Sequence, residues 1–202
     1  MRRDEERALA LAARGGDAEA FGRLVRLYQQ EALRGAFLLT GDRQAAEDIA
    51  QNTFLRVYRR LDRYDPARAF RPWFFGVLAN EARAHRRRER RQRLLPWARL
   101  PERAPGASPD PLAEQAVRDD ERARVRAALA ALAEPYRTTA VLYYVNDLPV
   151  DEVAAALGCR AGTVKSRLHT ARRRLRALLA PAVRPDPPDP ADAPDAPRRV
   201  TG

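Results

Sequence analysis

The sequence predicts an all-α protein made of two small helical domains. Apolar residues recur every three or four positions from residue 17 to about residue 93, and again from 112 to 180, which is the spacing of amphipathic helices. Between these patterns, residues 94–111 hold five prolines and a glycine, a composition typical of a linker. We therefore expect helical domains at 1–93 and 112–180, joined by a flexible linker at 94–111.

Three helices are predicted in the first domain. Helical spacing holds from Asp17 to Leu39, and the turn formers Thr40-Gly41-Asp42 then end the pattern. A second amphipathic helix is expected from Arg43 to Leu61. The third is expected to begin at Pro72, because a proline fits the first turn, where its missing N–H is not needed, and to run to Arg93.

The second of these helices carries an unusual outward face. It is acidic and polar but surrounds one leucine, and its members are Glu47, Asp48, Gln51, Asn52 and Leu55. We call this set the α3 patch, with α3 denoting this helix. An ordinary solvated helix face with one stray leucine would have the same composition, so the residues alone leave both interpretations open.

The third helix begins with aromatic residues and continues with arginines. Aromatic rings followed by dense positive charge suit stacking on unpaired bases, with guanidinium groups along a phosphate backbone. For the aromatic residues individually, packing into a core is the commoner role. We expect Phe74 and Val77 to lie in the core, while Trp73 and Asn80 fit either role.

The second domain is expected to end in a helix-turn-helix. Helical spacing runs from Leu112 to the Glu134-Pro135 break and then from Pro135 to Val145. Two further helices follow. The first, Val150–Leu157, ends at Gly158, where a left-handed cap would let the chain turn. Thr163 is predicted to cap the last helix.

That last helix presents a basic face opposite its apolar stripe. The exposed set suits phosphates and the acceptor edges of bases in a major groove, and comprises Lys165, Ser166, Arg167, His169, Arg172, Arg173 and Arg176. A solvated cationic helix is the alternative. The Ala, Gly and Val spacing that precedes this helix favours DNA binding.

Composition limits the possible functions. The formal net charge is +11 and the sequence pI about 10.9, which favours a polyanionic partner such as nucleic acid. The single cysteine, Cys159, excludes an internal disulfide and a multi-cysteine zinc site. No apolar run approaches the ~20 residues of a membrane span, and Met1–Arg7 lacks the apolar core of a signal peptide. We expect a cytoplasmic protein without membrane insertion.

No catalytic site is expected. His85 and His169 lie in arginine-rich helices without Cys, Asp or Glu at metal-ligand spacing, and no GxSxG or P-loop motif is present. The sequence therefore predicts no enzyme, no metal and no cofactor. The last residues, 181–202, hold seven prolines and four aspartates with almost nothing to bury, which predicts a disordered tail.

Two segments of the chain together resemble bacterial sigma factors. They are AEDIAQNTFLRVYRRLDRYDPARAFRPWFFGVLANEARAHRRR and, after the linker, LPVDEVAAALGCRAGTVKSRLHTARRRL. The chain is most similar to the compact group called extracytoplasmic function (ECF) sigma factors, which keep only the second and fourth conserved regions. The resemblance spans residues 17–179. It implies region 2 at 1–93 and region 4 at 112–180.

The resemblance implies a function and a set of partners. Such a factor binds core RNA polymerase, recognises and melts the −10 promoter element with region 2, and reads the −35 element with region 4. It is commonly held inactive by an anti-sigma protein. A helix-turn-helix regulator that works without polymerase is the main alternative, and a small arginine-rich enzyme or scaffold is another.

Each unusual surface acquires a role from the resemblance. The α3 patch corresponds to the surface for the β′ clamp helices, with Asn52 where an acidic residue is usual. The area around Tyr143, Tyr144 and Asp147 corresponds to the place where the β flap docks. The candidates for −10 binding follow the loop from Asp62 to Arg71 and are Trp73, Asn80, Arg83 and Arg87. The candidates for −35 binding are Thr163, Lys165, Ser166, Arg167, His169, Arg172 and Arg173.

Overall fold

The computed structural model describes residues 2–93 and 113–180, and all regular structure in these ranges is helical. The all-α prediction is confirmed. The predicted linker at 94–111 and tail at 181–202 lie outside the described residues. The N-terminal segment contains α1 Arg2–Arg14, α2 Ala18–Thr40, α3 Arg43–Tyr58, a 3-10 turn Leu61–Arg63 and α4 Phe70–Arg93. The C-terminal segment contains α5 Ala113–Ala131, α6 Glu134–Ala140, a π-helical turn Val141–Val145, α7 Val150–Leu157 and α8 Ala161–Leu179.

Aspartate caps set the beginnings of α2 and α3. The Asp17 carboxylate accepts from the Ala20 N–H at 3.0 Å, and the Asp42 carboxylate accepts from the Ala45 N–H at 2.7 Å. Each bond satisfies an N–H that has no partner within its helix. Gly41 ends α2 with φ 79°, a conformation that costs glycine no side-chain clash. The predicted break between the two helices is confirmed.

Helix α1 is a finding that the sequence patterns did not predict. It packs Leu9, Ala10 and Ala13 into the core, and its other residues are mostly charged. Ion pairs within the described residues tie it to α2 and α7: Arg23 pairs with Glu5 at 3.0 Å, and Arg3 pairs with Glu152. Helix α1 therefore contacts both segments.

Helix α4 begins two residues earlier than predicted, at Phe70. Pro72 lies within the first turn, where its ring is tolerated because the first N–H groups of a helix have no intrahelical partner. The early start buries Phe70 beside Tyr28, with ring centroids 5.7 Å apart. Phe74 is buried as expected, whereas Val77 is half-buried against the core.

The turn of the helix-turn-helix lies where it was predicted, but its second helix begins at a different residue. Gly158 ends α7 in the left-handed region, with φ 62°. The prediction that Thr163 caps α8 is wrong, because the helix already begins at Ala161. Extended backbone at Arg160 presents its carbonyl to the N–H groups of Thr163 and Val164, at 2.9 and 3.2 Å. Thr163 thus lies in the first turn.

The two segments share one hydrophobic core. Val141, Leu142, Leu148 and Val153 of the C-terminal segment belong to the same buried cluster as Tyr28, Phe75 and Leu78 of the N-terminal segment. Helix α7 lies against α4, and the π-helical turn lies against α2. Sequence periodicity predicts which face of each helix is buried, but not that these two faces meet.

Candidate functional site

The α3 patch faces solvent in full. Glu47, Asp48, Gln51, Asn52 and Leu55 are all exposed, and Leu55 keeps 46 % of its surface accessible. The patch is exposed because α3 is amphipathic. Its opposite face is buried and carries Ala46, Ile49, Ala50, Thr53 and Val57. An apolar side chain that shares a helix face with two carboxylates is a suitable anchor for a basic partner surface.

A shallow hollow adjoins the C-terminal end of this patch. It is lined by Asn52, Leu55, Arg56, Arg59, Arg60 and Glu81. Glu81, on α4, is 5 % exposed and pairs with Arg56 through an Nε–Oε1 distance of 2.8 Å. Sequence reasoning missed this hollow because α3 and α4 bring its residues together from separate helices. The outward face of α3 is therefore acidic at the α3 patch and becomes basic toward the C-terminal end of the helix.

Trp73 lies between the core and the loop that precedes α4. Its ring contacts Tyr64 and Phe70, at centroid distances of 5.4 and 5.6 Å, and remains half-buried. The Tyr64 hydroxyl donates to the Arg68 carbonyl at 2.7 Å, which fixes the loop. Burial raises the pKa of Tyr64, so its ring stays neutral at physiological pH. These contacts leave one edge of the Trp73 ring accessible at the start of α4.

The polar −10 candidates follow Trp73 along α4. Asn80 and Arg87 are exposed, whereas Arg83 is half-buried. Arg83 donates to the Asn80 side-chain oxygen and to Glu134 of α6, both at 3.0 Å. The structure therefore brings Asn80 and Arg83 together, but it also pairs Arg83 with a carboxylate of the other segment.

Positive charge is crowded beside this pair. Burial lowers the pKa of Arg86, and burial together with the nearby Arg86 charge lowers the pKa of Arg137 to about 10. Both guanidinium groups remain charged at neutral pH. The Arg137 Nη1 donates to the Leu39 carbonyl of α2 at 3.3 Å.

Helix α8 presents its basic face outward. Val164, Leu168 and Ala171 are buried beneath it. Most of the −35 candidates are exposed, namely Thr163, Lys165, Ser166, His169, Arg172 and Arg173, while Arg167 is half-buried. No ion pair of a described carboxylate with Lys165, Arg172 or Arg173 is seen, so their charges are available to a ligand.

The surface around the π-helical turn is aromatic. Tyr143 is half-buried and meets the exposed Tyr144 edge to face, with ring centroids 4.9 Å apart. Asp147 has φ 50°, a left-handed conformation that aspartate tolerates better than most residues. Cys159 is a half-buried free thiol in the turn that follows α7.

Within residues 2–93 and 113–180, no group of three or more His, Cys, Asp or Glu side chains is placed to hold a metal ion. No helix in these ranges is both long and apolar enough to cross a bilayer.

Comparison with protein families gives two matches in one order along the chain. Residues 24–92 match the family model for sigma-70 region 2, and residues 122–175 match that for sigma-70 region 4. The first match contains α3 and all but the last residue of α4, and the second contains α7 and most of α8.

Curated relatives are similar over most of the chain. The ECF RNA polymerase sigma factor SigE of Mycolicibacterium smegmatis is 34% identical, over 88% of this chain and 69% of its own length. SigW of Bacillus subtilis, another ECF RNA polymerase sigma factor, is 30% identical over 81% and 91%. The RNA polymerase sigma factor CnrH of Cupriavidus metallidurans is 35% identical over 87% and 95%.

Two solved structures have a similar fold. CnrH in complex with the cytosolic domain of CnrY superposes with a TM-score of 0.66 at 28% identity, covering 87% of this chain and 97% of that one. The sigma factor RpoE in complex with the anti-sigma factor NepR, from Bartonella quintana, gives 0.63 at 26% identity, covering 80% and 98%.

Proposed function

Since the chain belongs to the sigma-70 family, as a member of its ECF group, we propose that three exposed surfaces divide the work of a sigma factor among them. The factor directs transcription initiation by RNA polymerase. In this proposal the α3 patch holds core polymerase, the outer side of α4 receives the −10 strand, and α8 reads the −35 element. The domain assignment is region 2 at 1–93 and region 4 at 112–180.

The observation that carries the proposal is the coexistence of the α3 patch and the basic face of α8 on one chain. A DNA-binding regulator that works without polymerase needs the second surface but has no use for the first. The accessible Leu55, two turns from Asp48 on the same face of α3, would have no function in such a protein. The matched order of regions 2 and 4 gives both surfaces a use, and the regulator is the weaker alternative.

Docking on the β′ clamp helices follows from the chemistry of the α3 patch. Glu47 and Asp48 attract and orient a basic coiled coil, and Leu55 supplies apolar surface to bury. Asn52 provides a hydrogen-bonding side chain where a carboxylate is usual, so the patch binds with one charge fewer.

Capture of the −10 strand requires stacking surface and positive charge. Opening duplex DNA costs about 1.4 kcal/mol per base step. Trp73 offers a partly open ring edge, and Asn80 with Arg83 offers donors and acceptors about two to three turns further along α4. Arg87 continues the same side of the helix toward the backbone phosphates.

Reading of the −35 element falls to α8. The residues of its first half, Lys165, Ser166, Arg167 and His169, approach base edges, and Arg172 and Arg173 approach phosphates. Thr163, in the first turn, lies near the end that enters the groove. Tyr144, with Tyr143 beside it, forms a separate aromatic surface for the β flap.

We further propose an anti-sigma partner, a cytoplasmic location and no catalytic activity. The structural relative RpoE was solved in complex with the anti-sigma factor NepR, and CnrH in complex with the cytosolic domain of CnrY. Sigma factors act where their polymerase is, and they are regulators rather than enzymes.

The test is reconstitution of a holoenzyme. The purified chain is mixed with core polymerase, passed over a sizing column, and assayed for transcripts from fragmented genomic DNA. Co-elution together with new transcript starts supports the proposal. A folded chain that binds DNA but neither co-elutes with polymerase nor changes its start sites would instead be an autonomous regulator.

A further inference from the structure

A shallow groove runs along α8 and reaches the end of that helix. At the C-terminal end it is a hollow of about 500 Å³, lined by Tyr144, Arg172, Leu175, Arg176, Leu179 and Ala180. A smaller hollow, of about 240 Å³, continues toward the start of α8 and is lined by Tyr143, Tyr144, Val150, Lys165, Leu168 and Arg172. Because the two hollows share Tyr144 and Arg172, they form one surface, which we call the α8 groove.

The lining of the α8 groove combines apolar and cationic side chains. Tyr144 is 47 % exposed, and Leu175 and Leu179 lie with it in the larger hollow. Lys165, Arg172 and Arg176 are exposed, and the described residues offer none of them a carboxylate in an ion pair.

This combination selects the kind of ligand that the groove fits. Proline-rich segments dock on exposed aromatic rings, and free guanidinium groups bind carboxylates or phosphates. A DNA backbone would satisfy the cations but would leave Tyr144 and the two leucines without an apolar contact. The groove therefore fits a segment that is both proline-rich and acidic.

The same chain carries a segment of this composition. Residues 185–197, PDPPDPADAPDAP, contain six prolines, four aspartates and no basic residue. The aspartates recur at every third position, as Asp186, Asp189, Asp192 and Asp195. A polyproline II helix has three residues per turn and rises about 3.1 Å per residue, so in that conformation the four carboxylates form one row about 9 Å apart.

The length of chain between the groove and this segment allows the two to meet. Ala180, which lines the groove, precedes Asp186 by six residues, a distance that can span about 20 Å. Arg176 lies only about 6 Å from Ala180 along the helix axis, and Lys165 about 16 Å further. In polyproline II, the carboxylates from Asp186 to Asp192 span about 19 Å, which matches the distance between the outer cations.

We propose that residues 185–197 bind in the α8 groove of their own chain, running back along α8. The prolines pack against Tyr144, and the aspartates pair with Lys165, Arg172 and Arg176. Duplex DNA must then displace the segment before it reaches these cations, so the segment weakens DNA binding by α8. Competition at the −35 element rests on the proposed function, whereas the docking itself does not.

Tethering makes weak contacts sufficient for docking. An exposed ion pair contributes little alone. Three such pairs act together on a segment that a short linker holds at a roughly millimolar effective concentration. Docking is therefore reversible, and occupancy of the groove should weaken duplex binding by about three- to tenfold at low salt.

Removal of the row of carboxylates tests the pairing. The tail variant carries Asp186→Asn, Asp189→Asn, Asp192→Asn and Asp195→Asn, which keeps the size of each side chain and changes no residue of the helices. The control variant carries Asp4→Asn, Glu5→Gln, Glu19→Gln and Asp62→Asn, all exposed on the N-terminal segment. Each variant removes four negative charges, so a difference between them reports where the charges lie rather than the net charge.

The direct measurement is paramagnetic broadening of NMR signals in the free full-length chain. A nitroxide at Ala191→Cys, in a Cys159→Ser background, lies between two of the aspartates. We expect it to broaden the amide signals around Arg172 and to leave those of α3 sharp, since α3 packs on α2 and α4. The broadening should persist in the control variant and disappear in the tail variant. Sharp α8 signals in the parent, or equal broadening in both variants, would overturn the proposal.

A mixed sample separates the chain's own segment from that of a second copy. Spin-labelled chain without nitrogen-15 is mixed with nitrogen-15-labelled chain without a nitroxide. We expect sharp α8 signals in this mixture, because the segment docks within its own chain. Broadening in the mixture would mean that the groove takes the segment of another copy, which contradicts the proposal.

Affinity for an unrelated DNA duplex gives an independent readout. At low salt the tail variant should bind about three- to tenfold more tightly than the control variant, and the difference should shrink at high salt, which screens exposed pairs. Equal affinities of the two variants at low salt would overturn the proposal. Neither measurement includes polymerase, so such a failure leaves the proposed function standing. Docking without any change of transcript starts in the reconstituted holoenzyme would contradict the proposed function instead.

Discussion

Removing the anchor and the charge of the α3 patch should abolish polymerase binding without unfolding the chain. The perturbation is Asp48→Arg together with Leu55→Ser. Full burial of a leucine stabilises by about 1.5–3 kcal/mol, and Leu55 has 46 % of its surface left to bury, so its loss costs about 1 kcal/mol. Reversal of Asp48 removes one attraction and adds a repulsion, together about 1–2 kcal/mol.

The double variant should therefore bind core polymerase roughly 30- to 150-fold more weakly. Stability should change by less than about 1 kcal/mol, because both side chains are exposed and make no core contact. Leu11→Ser with Glu19→Arg is a matched control, since Leu11 is 39 % exposed and both residues lie outside the patch.

The assay is titration of labelled sigma factor with core polymerase, with thermal unfolding measured in parallel. Equal affinity of the double variant and the control would refute the reasoning, because the exposed leucine of the α3 patch would then contribute nothing. Loss of affinity accompanied by a large fall in melting temperature would refute it too, since the patch would then be structural.

Other variants test the remaining assignments. Arg167→Ala should cost about 1–3 kcal/mol on the −35 sequence and little on unrelated DNA in gel-shift titrations, whereas an equal loss on all sequences would make it a phosphate contact. Arg87→Ala should weaken open-complex formation on every promoter and lower the salt slope of binding by about 0.7; an unchanged slope removes Arg87 from the DNA path. Phe74→Ala should lower the free energy of unfolding by about 3–5 kcal/mol in denaturant titration, because its ring is fully buried between Tyr28 and Phe54; a change below 1 kcal/mol would contradict that.

Periodicity allowed the exposed surfaces to be predicted from sequence. The α3 patch and the basic face of α8 each lie opposite a clear apolar stripe, and both face solvent as expected. Gly158 was predictable for a related reason, since a glycine after an amphipathic run indicates a left-handed cap.

Other features could not be read from local pattern. Helix α1 buries only one leucine and two alanines, Leu9, Ala10 and Ala13, among mostly charged residues, and it is held by packing against α2 and α4. The start of α8 depends on the backbone of Arg160 rather than on a capping side chain, which is why Thr163 was wrongly chosen.

The spacing of apolar residues also could not predict the contacts between the two segments. The approach of Gly76 to Ala156 and the pairing of Arg83 with Glu134 join residues that are far apart in the chain. The helical spacing around these residues does not indicate which residue of the other segment each one contacts. The resemblance to sigma factors made Arg83 a candidate for −10 binding, and the structure adds its ion pair with Glu134.

The most direct test of the central claim is to map transcript starts made by core polymerase with and without this chain on fragmented genomic DNA. The account predicts new starts that share two sequence elements near −10 and −35, and that disappear with the Asp48→Arg, Leu55→Ser variant. Starts that share one element only, or that persist in the variant, would contradict the division of work between α3, α4 and α8.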